Sequence, residues 1–257
     1  MNELHLYEEI VRLKRAGEPF VLATVTENSG SSPRKAGAKM LLRRDGSLLG
    51  SVGGGRVESE TINAARAALE EGTPRTLPFE LSEENGFACG GTMTVYVEPH
   101  GSAPRLVMFG AGHVGKAVAA LAKGCGFHVT VVDERPELAS PEELPCADEL
   151  VLAKVSEAFE LLQIAPESFV VVATPGHLSD FDAVRGALAS GARFIGLLGS
   201  RRKRETLLKT LSEEGYSEAQ RARVVTPVGV AIGAETPEEI AVSIVGQLVL
   251  ERRKDAR

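Results

Sequence analysis

Hydrophobic and polar positions follow two rhythms along the chain. In the first hundred residues, short alternating stretches predict antiparallel strands: FVLATVT (20–26), AKMLLR (38–43), SLLGSV (47–52), RTLPFEL (75–81) and TMTVYVEP (92–99). Asp45-Gly46 supplies a hairpin turn between the second and third. Residues 1–19 predict an amphipathic helix ended by Gly17, with Leu4, Tyr7, Ile10, Val11 and the stem of Lys14 on its inward face. A second helix is predicted from about Val57 to Glu71, turning Ile62, Ala65, Ala68 and Leu69 inward and stopping at Gly72. This mixture predicts an α+β domain over residues 1–100.

Beyond the small, turn-prone linker His100-Gly101-Ser102-Ala103-Pro104, the rhythm changes. RLVMFG, HVTVVD, ELVLA, FVVVAT, RFIGLLG and RVVTP are continuous apolar runs separated by helical stretches. Runs of that kind suit parallel strands covered on both faces. Residues 104–257 therefore predict a Rossmann-like, doubly wound parallel sheet, and the chain as a whole is α/β. Thr236-Pro237-Glu238-Glu239 marks the start of a final helix, with an N-cap, a proline in the first turn and a capping-box glutamate.

Composition narrows the function classes. With 43% hydrophobic and 25% charged residues the chain has the make-up of a soluble globular protein. A net charge of −6 argues against a general nucleic-acid binder. No apolar run approaches the roughly 18–20 residues that cross a bilayer, and the start lacks the pattern of a signal peptide, so a cytoplasmic location away from membranes is expected. Cys89, Cys125 and Cys146 form no CxxC pair, which points to free thiols.

Candidate chemistry sits in loops. Gly110-Ala111-Gly112-His113-Val114-Gly115 fits G-x-G-x-x-G between a strand and a helix. Gly110 allows the turn, Gly112 lets a pyrophosphate approach the backbone, and Gly115 lets helix and strand pack closely. The next strand ends in Asp133, where an acid can bind ribose hydroxyls. The alternative is a tight strand–helix turn with no ligand, and the alternative for His113 is a cap on its helix. Parallel strands bring two more loops to the same edge. One holds His177, which either donates to a phosphate, acts as an acid–base group, or merely tethers backbone. The other runs Gly199-Ser200-Arg201-Arg202-Lys203-Arg204, with Ser200 as N-cap. Its four cations oppose the helix dipole, a conflict that an anionic ligand would remove and that a solvated surface helix would tolerate.

Three loops of the first half exceed what strand building requires. Asn28 to Lys35 holds Gly30, Ser31, Ser32, Pro33 and Arg34; Gly53, Gly54 and Gly55 run straight into a helix, offering an anion cradle; Cys89, Gly90 and Gly91 precede a strand. The Cys89 thiol is either a soft partner for a metal or a sulfur-bearing ligand, or a small packed hydrophobe. Cys125 and Cys146 read as structural. No catalytic residue is assigned.

Together GSSPRKAGAKM, SVGGGRVE, CGGTMTVYVEP, GAGHVG and IGLLGSRRKR…TPVGVAIGAETPEEIAVSI resemble the XdhC/CoxI family, the xanthine dehydrogenase accessory factors. The resemblance runs from about residue 8 to 252. It implies a protein that binds molybdenum cofactor transiently, protects it while a cysteine desulfurase adds the terminal sulfido ligand, and delivers it to a molybdenum hydroxylase such as xanthine dehydrogenase. The family's motifs fall on Gly30 to Arg34; on Gly53, Gly54, Gly55 and Glu58; on Cys89, Gly90 and Gly91; on Gly110, Gly112 and Gly115; and on Gly199 to Lys203. Cys89 is then the residue expected to face the molybdenum. A homodimer is expected, since a two-fold interface shields a held cofactor. An NAD(P)-dependent oxidoreductase, or a regulatory protein that binds a nucleotide, remains the alternative.

Overall fold

The computed structural model describes residues 3–81 and 90–254, in two compact units, Met1–Ala103 and Pro104–Arg257.

The first unit contains α1 (Glu3–Ala16), β1 (Phe20–Gly30), β2 (Lys39–Arg43), β3 (Leu48–Gly50), α2 (Gly55–Glu71), β4 (Arg75–Glu80) and β5 (Gly91–His100). The strands form an antiparallel sheet in the order β3-β2-β1-β5-β4. Strand alternation splits its side chains between two helices. Val21, Ala23, Val25, Met40, Leu42, Val95 and Val97 pack with Val57, Ala65 and Ala68 of α2. Phe20 and Leu41, on the opposite face, pack with Leu6 and Leu13 of α1. Burying a leucine of this kind stabilises the fold by roughly 2 kcal/mol.

The inward face of α1 differs from the expected one. Leu4, Tyr7 and Val11 are exposed, and the buried positions are Leu6 and Leu13, with Ile10 beside them. Both stripes have helical spacing, so periodicity cannot choose between them. A polar contact pins the choice: Arg43 of β2 donates from Nε to Glu9 at 2.7 Å, turning the Leu6–Ile10–Leu13 side toward the sheet. The Lys14 stem does turn inward, its ammonium lying 5.6 Å from the Phe20 ring centroid.

The second unit contains β6 (Arg105–Phe109), α3 (His113–Gly124), β7 (His128–Asp133), β8 (Glu149–Leu152), α4 (Val155–Leu161), β9 (Phe169–Val172), α5 (His177–Ser190), β10 (Phe194–Leu197), α6 (Arg201–Glu213), α7 (Glu218–Ala222), β11 (Val224–Val225) and α8 (Pro237–Arg253). All strand pairs are parallel, in the order β11-β10-β9-β6-β7-β8. The apolar runs are continuous because both faces are covered. Leu106, Met108, Val129, Val131 and Val171 meet α3 and α8, while Val107, Phe109, Val170, Val172, Ile195 and Leu197 meet α4, α5 and α6. Thr236 and Glu239 form the expected capping box of α8, with Pro237 in the first turn. Cys125 and Cys146 are free thiols packed at the rim of the α3–α8 core. The chain moves outward from β6 through β7 and β8, then crosses to β9. The topological switch point therefore lies between β6 and β9, where ligands of open α/β sheets bind. Among the described residues no helix is long and apolar enough to cross a membrane.

Candidate functional site

In the first unit the three small-residue loops meet at one end of the sheet. β1 and β5 pair as far as Gly30 opposite Gly91. The Ser31 amide donates to the Gly90 carbonyl at 2.9 Å. A Cβ on Gly91 would stand 2.3 Å from the Ser29 carbonyl oxygen, so only glycine permits this approach. The Gly53 turn closes from the other side, where a Cβ would meet Pro33 Cγ at 2.8 Å. Gly30–Arg34, Gly53–Gly55 and Gly90–Gly91 are thus neighbours through backbone packing. Cys89 lies outside the described residues.

The polar groups of this cluster are partly spent on holding it. Asn28 accepts from the Ala36 amide at 2.8 Å and donates to Ser32 Oγ at 3.1 Å, while Ser32 Oγ donates to the Arg34 carbonyl at 3.0 Å. The Gly53–Gly55 cradle differs from the open anion seat expected of it. The Gly54 amide donates to Glu58 at 3.2 Å, the Ser51 hydroxyl donates to the same carboxylate, and the Gly53 amide donates to Ser51 Oγ at 3.2 Å. An acid of the first turn of α2 therefore fills part of the position an external anion would take. Arg34 is exposed and, with Lys39 and Ser51, lines an open groove of about 450 Å³.

In the second unit the glycine loop divides its three glycines between packing and access. A Cβ on Gly110 would sit 2.3 Å from the Ala173 carbonyl, and one on Gly115 would sit 1.9 Å from the Gly110 carbonyl. One on Gly112 would meet nothing within 4 Å. Gly112 is the N-cap of α3 and no side chain caps that helix, so His113, exposed in its first turn, does not serve as a cap. Such a terminus presents amides to a phosphate.

Asp133 is the predicted ribose acid, and the structure gives it another set of partners. Its carboxylate accepts from the Ala111 amide at 2.7 Å and from Arg135 three times: the amide at 3.0 Å, Nε at 2.8 Å and Nη2 at 2.7 Å. Burial works to raise its pKa, but the Arg135 guanidinium and the two amides outweigh it and hold the carboxyl below the usual range.

The loops after β9 and β10 share one groove of about 450 Å³, lined by His177, Phe181, Ser200, Arg202, Lys203 and Thr206. Ser200 caps α6, accepting from the Lys203 amide. The four cations do not act alike. Lys203 folds inward to pair with buried Asp180 and donates to the Leu198 carbonyl at 3.0 Å. Asp180 also accepts from the Thr174 amide at 3.1 Å and hydroxyl at 2.7 Å. Arg201, Arg202 and Arg204 remain exposed beside the first turn of α6, which contains no acid. The groove is thus a cationic rim over a neutralised floor, suited to an anion carrying an apolar or aromatic part against Phe181.

Two residues that fix this geometry, Asp180 and Arg135, carried no assigned role. Asp180 follows an N-capping glycine at first-turn spacing, a signal for a helix start but not for a lysine 23 residues away. Arg135 had only its position two residues beyond Asp133.

The profile described as the XdhC Rossmann domain matches residues 106–248, and that of the XdhC and CoxI family matches residues 13–80. The chain is 38% identical over 251 residues to an uncharacterized protein, YqeB, of Escherichia coli (strain K12), covering 96% of this chain and 46% of YqeB. It thus spans about half the length of that relative. It is 21% identical over 290 residues to PaoD of the same organism, a molybdenum cofactor insertion chaperone, covering 92% and 85% of the two chains. A solved structure from Bacillus halodurans, described as a xanthine dehydrogenase, superposes with a TM-score of 0.55 at 26% identity, over 96% of this chain and 95% of the other.

Proposed function

Because this chain belongs to the XdhC and CoxI family, we propose that it is an accessory factor for a molybdenum enzyme. In this reading it binds molybdenum cofactor, shields it while a cysteine desulfurase installs the terminal sulfur, and delivers it to a hydroxylase of the xanthine dehydrogenase type. The observation that carries the reading is the meeting of Gly30–Arg34, Gly53–Gly55 and Gly90–Gly91 at one end of the first sheet, immediately beside the position of Cys89 in the chain. Gly54, Gly55 and Gly90, where an added Cβ would meet nothing within 4 Å, leave backbone open to a ligand, and Arg34 adds a cation for a phosphate. Cys89 supplies a soft, replaceable sulfur toward the metal end. The relationship to PaoD supports the same cargo.

The second unit contributes phosphate recognition. The Gly112 amide and the uncapped start of α3 seat a phosphate or pyrophosphate, and His177, Ser200, Arg201 and Arg202 supply further donors along the same sheet edge. The protein acts in the cytoplasm as a homodimer, and it performs no catalytic turnover of its own.

The test is isolation without oxygen from cells that make the cofactor, followed by mass spectrometry and metal analysis. Wild type retains a pterin with molybdenum, and Cys89→Ser loses most of the metal. Absence of both from wild type overturns the reading. A second reading, an NAD(P)-dependent oxidoreductase or nucleotide-binding regulator, is favoured by the open Gly112 alone; hydride turnover on small carbonyls would promote it.

A further inference from the structure

The last helix shows water a face that its own unit does not explain. Ala241, Ile244, Val245 and Leu248 of α8 are buried in the core that α8 shares with α3 and the sheet. The outward side carries Val242, Gly246, Leu250 and Arg253, whose spacing places them in one stripe along the helix. Val242 and Leu250 are each 54% exposed. The loop before the helix, tied to Ser243 through Val230, adds Val230 at 36% exposure and Ile232 at 52%.

Glycine inside a helix is destabilising relative to alanine, so it calls for a reason. Gly186 of α5 has an internal one, because a Cβ there would lie 2.4 Å from the Phe159 ring. Gly246 has none: a Cβ would meet only Val230 Cγ2 at 3.6 Å, an ordinary contact. What Gly246 does allow is close approach of a second helix from outside. The charges at the two ends of α8 are opposite. Residues 226–239 contain only acids, Glu235, Glu238 and Glu239, all exposed. The last turn contains Arg252, Arg253 and Lys254 with one acid, Glu251. Arg252 is held within its unit by the Cys125 carbonyl and the Phe127 ring, and Lys254 pairs with Glu251 at 2.7 Å, which leaves Arg253 exposed. Each set of charges suits the dipole of its own helix, and the same polarity makes the face complementary to itself.

From this we propose that the outward face of α8 is the homodimer interface, packed antiparallel against α8 of a second copy with Gly246 on the two-fold axis. The inference rests on the homodimer of the proposed function and names the surface that forms it. Turned end for end about Gly246, Val242 meets Leu250 of the second copy, Glu239 meets Arg253 and Glu238 meets Lys254. Glu239 accepts the Glu235 and Thr236 amides on Oε2 alone, so Oε1 stays available. A partner of different sequence would need no such symmetry about one glycine, whereas a two-fold contact requires it.

Sedimentation velocity of the full-length protein, from about 1 to 200 µM, reads the association. Wild type is expected to pass from monomer to dimer across that range, because one helix face with its flanking loop buries less than an obligate interface does. Gly246→Glu sets two carboxylates against each other on the axis and should raise the dissociation constant about tenfold or more. Its melting temperature should be unchanged or higher, since glutamate is the better helix former. Glu238→Lys and Lys254→Glu should each weaken the dimer about threefold or more, and together restore it to within about twofold of wild type. A wild type that stays monomeric at the highest concentration overturns both this face and the homodimer. A dimer that Gly246→Glu leaves intact overturns the face while the homodimer stands. Single charge reversals that the double variant does not rescue overturn the antiparallel register.

Discussion

Replacing Asp180 by alanine removes the centre of the polar network that joins the loops after β9 and β10. Its carboxylate is buried at 1% side-chain exposure and Lys203 at 13%, so both charges are largely withdrawn from water. Truncation leaves the ammonium with the Leu198 carbonyl as its remaining partner and strips the Thr174 amide of its acceptor, while the Thr174 hydroxyl keeps the Gly176 carbonyl at 3.2 Å. Breaking a buried pair from one side costs about 3–5 kcal/mol, chiefly because the surviving charge stays buried. Lys203→Met alone strands the carboxylate and costs about 2–4 kcal/mol, softened by the Thr174 donors that remain. The double variant Asp180→Ala/Lys203→Met contains neither charge and is expected within about 2 kcal/mol of wild type. Hydrogen exchange by mass spectrometry across residues 174–181 and 198–207 reads the local opening free energy without assuming that the two units unfold together. The cycle should return a coupling of about 2 kcal/mol or more. Additive single effects, with coupling below about 0.5 kcal/mol, would show that the pair does not hold this edge together.

The glycine loop offers a sharper contrast. Gly115→Ala forces a Cβ to within 1.9 Å of the Gly110 carbonyl and should cost about 3 kcal/mol or more in chemical denaturation. Gly112→Ala meets no atom within 4 Å and should shift stability by less than about 0.5 kcal/mol while weakening nucleotide binding in calorimetry. In the first unit, hydrogen bonds from Arg12 and then Arg43 hold Glu9 down to about 2. A depressed carboxyl contributes stability above its unfolded pKa, so this contribution is present near neutrality and disappears as pH falls from about 4.5 through about 2. Allowing for solvent screening, Glu9→Gln should cost about 1 kcal/mol at pH 7 and progressively less as pH falls from about 4.5 toward 2 in urea titrations. Arg202→Glu should weaken phosphate-dependent binding at the α5–α6 groove severalfold without changing the melting temperature, whereas an equal loss of both would make Arg202 a structural residue.

The strands were legible because the two halves use the two simple signals. Alternation marks the first sheet, where Val21, Ala23 and Val25 face one helix and Phe20 and Leu22 the other. Unbroken apolar runs mark the second, where both faces are covered. Helix limits were legible where glycine or a capping box stands, as at Gly72 and Thr236. The inward face of α1 was not, because two apolar stripes share one helix and the ion pair that selects between them joins residues 34 positions apart. The same distance problem hid the site's internal partners. A run of four cations reads as one basic patch, yet Lys203 belongs to Asp180 across 23 residues. The Gly53–Gly55 turn reads as a vacant cradle, yet Glu58 and Ser51 occupy part of it.

These internal partners change what the loops can recognise. A glycine motif specifies where backbone comes close, and it is silent on whether what comes close is a ligand or another strand. Gly91 and Gly115 admit neighbouring backbone, whereas Gly112 faces open space. The charged residues around them sort in the same way. Asp133, Glu58 and Lys203 are each satisfied by partners within their own unit, which removes them as direct ligand contacts and makes them supports for the groups beside them. Donors remain presented outward at the Gly112 turn, at Arg202 with its neighbours, and at Arg34. On a chain of net charge −6, outward cations concentrated at the loop ends focus an anionic ligand there while the rest of the surface repels it. Affinity at both loop clusters should therefore fall steeply with added salt, and a salt-independent affinity would mean that the ligand is held by buried apolar contact instead.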